Sequence, residues 1–295
     1  MGGKTHVISL PSQWIKKYNV KKGEELHVEE IANSVLVSTD KISKGEICEI
    51  NLKSLDVMLR RVLAATYKSG CEEVKVLYEN RDQLALIEDV LHKACIGFEI
   101  NHQGENFVVI KSLTHIDPKE YSNSLRRLFF SLEIMQQDLH YALTKNCRTL
   151  LSKVVEKDEQ INRLADFCRR VINSGNLKNV GKSTLHYYIV EQLERIGDIH
   201  KKIAQLLLDN KIKPNEQTIA IFLELHEFFK AYHKLFYDFN LEATEQFGKE
   251  FYALREKMRT HYVEENKEYY PLLMYEEFLL ETIFDMNGAL LTLNV

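Results

Sequence analysis

The sequence predicts a mainly α-helical protein with a small β and α+β part at its N terminus. It contains only four prolines and twelve glycines in 295 residues, and it is 45% hydrophobic and 28% charged. This composition is typical of a helical globular protein. From Pro118 almost to the end the apolar residues recur at helical spacing, whereas the earlier part mixes short β-branched segments with two helices.

Residues 1–45 predict a small β module. Their β-branched, alternating segments predict three strands, at 5–10, 26–30 and 35–37. Pro11 ends the first strand, and Ser12 is placed to cap a single helical turn that carries Trp14. Asn33 and Ser34 predict a turn between the second and third strands.

Residues 46–115 predict a small α+β domain in the order αβαββ. The five elements are a helix at 55–68, a strand at 74–78, a helix at 82–94 and strands at 97–100 and 107–110. The last two strands read as a hairpin around Gln103 and Gly104. Such an order predicts a small α+β layer.

Residues 116–295 predict about six helices in two groups of three, at about 116–210 and 211–295. Glycine, proline and asparagine mark the breaks, which lie at 173–175, 178–182 and 213–215. The last helix of each group carries the same acidic motif.

This motif, Leu-Glu-x-Ile-x-Asp, occurs at Leu193–Asp198 and again at Leu280–Asp285. The two glutamates are 281 − 194 = 87 residues apart, and so are the two aspartates. This shared offset predicts a repeated helical unit. Glu and Asp at i and i+4 share one helix face, where they repel each other unless solvent or a cation screens them. The spacing alone leaves open both a cation site and an ordinary solvated surface.

Charge and cysteine content exclude several classes of protein. The net charge is −4, so no overall field attracts nucleic acid or an anionic membrane. The five scattered cysteines form no CxxC pair, which favours a reducing cytoplasm and argues against a disulfide framework or a thiolate zinc site. No apolar run approaches the length of a membrane span, and we expect no signal peptide or membrane insertion.

Two strings resemble known families. The N terminus reads Gly2-Gly3-Lys4-Thr5-His6-Val7-Ile8-Ser9-Leu10-Pro11, then Trp14, then Lys21-Lys22-Gly23-Glu24-Glu25-Leu26. It resembles the AbrB/SpoVT half of swapped-hairpin DNA-binding proteins. A strand precedes Gly-Gly-x-Thr in that family, so we expect either that an upstream start was missed or that this first strand is absent. The helical half, with Leu193-Glu194-Arg195-Ile196-Gly197-Asp198, resembles PhoU, the phosphate uptake regulator. The whole order resembles archaeal-type PhoU proteins with an N-terminal AbrB module.

The PhoU resemblance implies a pair of three-helix bundles and a cytoplasmic, non-enzymatic regulator of phosphate uptake. It implies docking to a phosphate transporter component or its sensor protein, and binding of iron, manganese, zinc or magnesium. The implied metal ligands are Glu194, Asp198, Glu281 and Asp285. The departures from the family pattern are a displaced histidine at His200, Thr282 and Phe284 in the second motif, and Asn162 in place of an acid.

The alternative hypothesis is an AbrB-like DNA-binding transcriptional regulator with a helical dimerisation or sensing body. The five lysines of the first 22 residues, which include no acid, are Lys4, Lys16, Lys17, Lys21 and Lys22. Clustered lysines can bind phosphates, but no arginine in the first 40 residues is available to read guanine. An AbrB-like half-module predicts a homodimer, and an interaction scaffold with vestigial acidic motifs is a third hypothesis.

An enzyme is the least supported class. Gly175 and Gly181-Lys182-Ser183 come closest to a phosphate-binding loop, but their spacing is one residue too long and no strand precedes them. The sequence also shows no motif typical of a catalytic nucleophile and its base.

Overall fold

The computed structural model describes residues 6–31, 34–39, 47–113, 118–174, 182–210, 214–264 and 269–295. Within these ranges the chain forms nine helices and six strands. The strands and three of the helices come first, and six longer helices follow. The predicted fold class, mainly α with a small N-terminal β and α+β part, is confirmed.

The first described part contains one short helix and a two-stranded hairpin. The elements are α1 Ser12–Lys17, β1 His27–Ile31 and β2 Ser34–Ser38, and the strands pair antiparallel. Residues 6–10 form no strand, so the prediction of a strand at 5–10 is wrong for these residues, and Thr5 lies outside the described part. Pro11, in extended backbone, precedes α1, so Ser12 is the first helical residue and not the cap. The AbrB-like assignment stays a prediction.

A four-stranded sheet with two helices follows. Its elements are β3 Ile47–Asn51, α2 Leu59–Lys68, β4 Glu73–Leu77, α3 Arg81–Ala94, β5 Phe98–Gln103 and β6 Phe107–Ser112. The sheet order is β3-β4-β6-β5, with β3 parallel to β4 and the other pairs antiparallel. Alternate residues of β4 and β6, such as Val74 and Ile110, are buried against α2 and α3. The predicted αβαββ order is therefore correct but lacks β3, a strand of only five residues.

β3 also brings together two cysteines. Cys48 in β3 forms a disulfide with Cys71, which precedes β4, and their Cα atoms are 6.5 Å apart. The spacing of the cysteines argued against a disulfide framework, and this pair corrects that expectation. The expectation failed because β3, which places Cys48 next to Cys71, was not predicted. The inference of a reducing compartment from scattered cysteines loses its basis. Cys95 and Cys168 are buried free thiols.

The helical body consists of two groups of three helices. The first group is α4 Pro118–Lys145, α5 Arg148–Asn173 and α6 Ser183–Asn210. The second group is α7 Glu216–Tyr237, α8 Leu241–Glu264 and α9 Tyr270–Asn294. α6 packs on α9 and α4 packs on α7, so the two groups share one apolar core. Every helix in the described ranges is too short or too polar to cross a membrane.

The α+β layer is attached to the C-terminal end of α5. The buried guanidinium of Arg170 lies 4.2 Å from the ring centroid of Phe98 and 4.9 Å from that of Tyr67, and its Nη1 donates a hydrogen bond of 2.9 Å to the Tyr67 carbonyl. Gly70 ends α2 with a φ of +90°, and a Cβ there would lie 3.0 Å from the backbone of Ser174. A larger residue at Gly70 would therefore separate the layer from α5.

Candidate functional site

The two acidic motifs occupy corresponding places, on the third helix of each group. Glu194 and Asp198 lie on α6, and Glu281 and Asp285 lie on α9. In each group the second helix supplies an arginine to the motif glutamate. Arg169 of α5 pairs with Glu194, and Nε of Arg255 in α8 lies 3.5 Å from Oε1 of Glu281.

The repeat therefore extends to the second helices. The two arginines are 255 − 169 = 86 residues apart, one less than the 87 that separates the motifs. Sequence reasoning missed both arginines. The signal that could have found them is their nearly constant distance from the motif glutamates, 194 − 169 = 25 and 281 − 255 = 26 residues.

In the first repeat, Arg169 is the centre of a buried ion-pair network. Its side chain is 1% exposed, its Nη1 lies 2.5 Å from Oδ1 of Asp166 and its Nε lies 2.7 Å from Oε1 of Glu191. Nη2 donates a hydrogen bond to Glu194. Burial opposes the charge of Arg169, but the carboxylates of Glu194, Asp166 and Glu191 outweigh it and raise the pKa of the guanidinium. Glu194 is thus already neutralised by a fixed cation.

The second acid of this motif faces another carboxylate. Asp158 of α5 has a 4% exposed side chain, and its Oδ2 accepts hydrogen bonds from Lys201 Nζ at 2.6 Å and from Asn162 Nδ2 at 3.1 Å. Burial raises the pKa of Asp198, and the negative charge of Asp158 raises it further. Its neutral form also donates a hydrogen bond to Asp158, whereas Lys202 and Lys201 lower the pKa.

The side-chain oxygen atoms of Asp158, Asn162 and Asp198 have the chemistry that a hard divalent cation prefers. Oδ1 of Asp158 and Oδ1 of Asn162 are buried and receive no hydrogen bond from the described residues while Asp198 is ionised. Carboxylate and amide oxygens are the donors that magnesium, manganese and iron(II) prefer. In the described part of the chain, no three His, Cys, Asp or Glu side chains already converge as a metal-binding group. Sequence reasoning missed Asp158, although Asp158 and Asn162 have the i,i+4 spacing of the motif acids.

The displaced histidine is separate from the acids. His200 is buried, and its Nδ1 lies 2.6 Å from the carbonyl oxygen of Ile196 in the preceding turn. Burial lowers the pKa of His200 to about 4. It is therefore uncharged at neutral pH and holds the helix backbone.

The acids of the second repeat have fewer oxygen partners. The side chain of Glu281 is 37% exposed, and Asp285 is exposed and makes no hydrogen bond or ion pair with another described residue. At an offset of 86, α8 presents Thr244, Gly248 and Tyr252 where α5 has Asp158, Asn162 and Asp166. Its second helix therefore supplies no carboxylate at these three positions.

One position in the motif accounts for much of this difference. Gly197 and Phe284 are equivalent, since 284 − 197 = 87. A Cβ at Gly197 would lie 2.9 Å from Cγ2 of Ile161, so glycine allows α5 to approach α6 closely. Phe284 instead fills the space between α8 and α9, with its ring centroid 3.8 Å from that of Phe251. The close approach brings the charged groups of α5 onto α6, and the aromatic spacer keeps those of α8 further from α9.

The predicted DNA-binding lysines are on the surface. Lys16 and Lys17 lie in the last turn of α1, and Lys21 and Lys22 follow it, all four exposed. Nζ of Lys17 lies 5.8 Å from the Tyr18 ring centroid. Lys4 lies outside the described residues.

The similarity to a known family lies in the first helical group. Residues 125–207 match the family model of the PhoU domain. The matched residues contain most of α4 and of α6 and the whole of α5, and with them Glu194, Asp198, Asp158 and Arg169. The second motif, with Glu281 and Asp285, lies outside the matched residues. No curated protein and no solved structure matches the chain.

Proposed function

We propose that this protein is a non-enzymatic, cytoplasmic regulator of phosphate homeostasis that acts by docking to a phosphate transporter component or to its sensor protein. The observation that carries the proposal is the PhoU domain at residues 125–207, with an acidic motif on its third helix. The match supports a role in phosphate regulation. The exposed Asp285 and the partly exposed Glu281 of the second repeat support docking by a charged surface.

The proposal includes a bound divalent or transition metal ion. Its ligands would come from Glu194, Asp198, Glu281 and Asp285, with Asp158 and Asn162 adding two buried oxygen atoms in the first repeat. An all-oxygen set favours iron, manganese or magnesium over zinc, which prefers nitrogen and sulfur. The cation would relieve the repulsion between Asp158 and Asp198. Glu194 can join only by releasing Arg169, so we propose Asp198 as the main ligand.

One pair of measurements tests both parts. Metal content is determined in protein purified without chelators, and phosphate uptake is measured in cells that lack the protein and are supplied with each variant. The variants are Asp158→Asn/Asp198→Asn and Glu281→Gln/Asp285→Asn, with the exposed pair Glu88→Gln/Glu105→Gln as a charge-matched control. We expect the first variant to lose at least half of the bound metal and the control to keep it.

The regulatory role predicts faster phosphate uptake without the protein and restoration by wild type. Unchanged uptake would contradict regulation. Equal metal content in wild type and both acid variants, or no metal in folded wild-type protein after incubation with Mn²⁺, Fe²⁺, Mg²⁺ and Zn²⁺, would contradict the metal site alone.

The alternative is a DNA-binding transcriptional regulator, and the exposure of Lys16, Lys17, Lys21 and Lys22 favours it. The hairpin that follows them in the chain exposes Val28, Val35 and Leu36. An apolar hairpin of this kind is also why we infer a homodimer. The same preparations test the alternative by retention on DNA at increasing salt. Retention that does not change when the four lysines become glutamine contradicts it.

A further inference from the structure

The outer face of α9 combines exposed apolar residues with acids. Residues at intervals of three and four lie on one side of a helix, and here they form a line that we name the α9 stripe. The α9 stripe consists of Tyr270, Met274, Phe278, Glu281 and Asp285. Tyr270 is 44% exposed, Met274 is 54% exposed and Phe278 is 46% exposed. The opposite side of α9 is buried in the core shared by both helical groups.

α9 carries large apolar side chains on its outer side as well as on its buried side, which is typical of a helix whose outer side is also covered. A surface helix normally places charged residues where α9 has Met274 and Phe278. Aromatic and methionine side chains are also those enriched at protein interfaces. The α9 stripe therefore has the composition of a contact surface.

The charge of α9 defines the kind of partner. Residues 270–294 contain no lysine, arginine or histidine. Of their four acids Glu276 is buried, and those that reach the surface are Glu277, Glu281 and Asp285. Within the described structure, Asp285 has no ion-pair partner and Glu281 has only Arg255, at 3.5 Å. A second copy of α9 on this face would oppose acid with acid, which like-charge repulsion disfavours.

Aromatic residues of the neighbouring helices widen the surface. Tyr188 of α6 is 37% exposed and lies near Asp285, whose charge adds to burial in raising the pKa of Tyr188. Tyr252 of α8 is 60% exposed, and its ring centroid lies 6.3 Å from that of Phe284. The stripe is thus flanked on two helices by tyrosines, which can contact both apolar and polar groups.

We propose that the α9 stripe binds a basic amphipathic helix of a partner protein. Apolar side chains of that helix would pack on Met274 and Phe278, and its lysines or arginines would pair with Glu281 and Asp285. The inference deepens the proposed docking function, on which it rests, by naming the chemistry of the partner. It requires neither a metal ion nor the first repeat.

The test uses the full chain and a labelled peptide of roughly 18 leucine and lysine residues arranged with helical period. Binding is followed by fluorescence anisotropy, with a leucine–glutamate peptide of the same pattern as the control. We expect the lysine peptide to bind and the glutamate peptide not to bind. Met274→Ser/Phe278→Ser and Glu281→Gln/Asp285→Asn should each weaken binding by about tenfold, the loss expected from interface anchors.

Two matched variants make the result specific. Phe130→Ser/Ile134→Ser removes a similarly exposed i,i+4 apolar pair on α4, where Phe130 is 50% exposed and Ile134 is 49% exposed. Glu88→Gln/Glu105→Gln removes two exposed acids from the α+β layer. Neither should change the affinity.

Equal binding of both peptides, no binding of the lysine peptide, or equal losses in stripe and control variants would overturn the proposal. So would a wild-type dimer that Met274→Ser/Phe278→Ser converts to a monomer, because a second copy would then cover the stripe. The assay contains no phosphate and no transporter. The peptide assay can therefore fail although phosphate uptake depends on the protein. It can also succeed although phosphate uptake does not depend on the protein.

Discussion

The two helical repeats carry the same acidic motif but treat its charges in different ways. In the first repeat, Arg169 and Lys201 neutralise acids that lie largely between α5 and α6. In the second repeat, Glu281 has one arginine contact, at 3.5 Å, and Asp285 is exposed in the α9 stripe. Identical spacing on a helix therefore does not determine whether an acid is internally paired or presented to a partner.

The difference originates between the helices. Gly197 lets α5 approach closely enough for its charged side chains to reach α6, whereas Phe284 separates α8 from α9. The second helices differ as well, because α5 supplies Asp158 and Asp166 where α8 supplies Thr244 and Tyr252. One repeat is thus suited to an internal ion-pair network and the other to an external contact.

The largest expected effect is the loss of Arg169. We expect Arg169→Met to lower the free energy of unfolding by about 3–5 kcal/mol, because Asp166 would stay buried without its guanidinium partner. Arg255→Met should cost about 1 kcal/mol or less, since the Arg255 and Glu281 side chains are 34% and 37% exposed. Urea unfolding followed by circular dichroism measures both. Equal losses of unfolding free energy would contradict the difference between the two repeats, because both arginines would then stabilise the fold to the same extent.

The next effect concerns the position that sets the helix separation. Gly197→Phe places in the first repeat the residue of the second, and we expect a loss of about 2–3 kcal/mol from overpacking against Ile161. Gly288→Ala is the control, because a Cβ there meets no atom within 4 Å. It should stabilise α9 by up to about 1 kcal/mol through helix propensity. A tolerated phenylalanine at 197 would contradict the role given to close approach.

The smallest effect is a dependence on pH at Asp198. Its pKa is raised above 3.8 in the folded state, so the folded protein holds this proton more tightly than the unfolded chain. Stability from this group is therefore present below pH 3.8 and is lost as pH rises through the folded pKa.

Metal-free Asp198→Asn should then be more stable than wild type at pH 7, by about 0.5–1 kcal/mol after allowance for solvent screening, and the gain should vanish near pH 3. Asp285→Asn, at an exposed position, should change stability by less than about 0.5 kcal/mol at either pH. Thermal unfolding at several pH values checks this. A gain that persists at low pH would point to a cause other than the ionisation of the half-buried Asp198.

Much of the fold followed from local pattern. The six long helices, their breaks and the place of each motif on a third helix were predictable because helical periodicity and breaking residues act over a few positions. β3 was missed because five residues carry little periodic signal, and the Cys48–Cys71 disulfide was missed with it. The predicted strand at 5–10 had the right residue types but pairs with nothing at the described residues 6–10.

For the candidate site, too, one part could be predicted from the sequence and another part could not. The sequence by itself determined that Glu194 and Asp198, and likewise Glu281 and Asp285, share a helix face, because i,i+4 geometry belongs to every α-helix. Only the tertiary structure decided that Arg169 reaches Glu194, that Asp158 faces Asp198 and that Asp285 stays exposed. Those relations depend on the distance between packed helices, which side chains such as Gly197 and Phe284 set through contacts with residues far away in the chain.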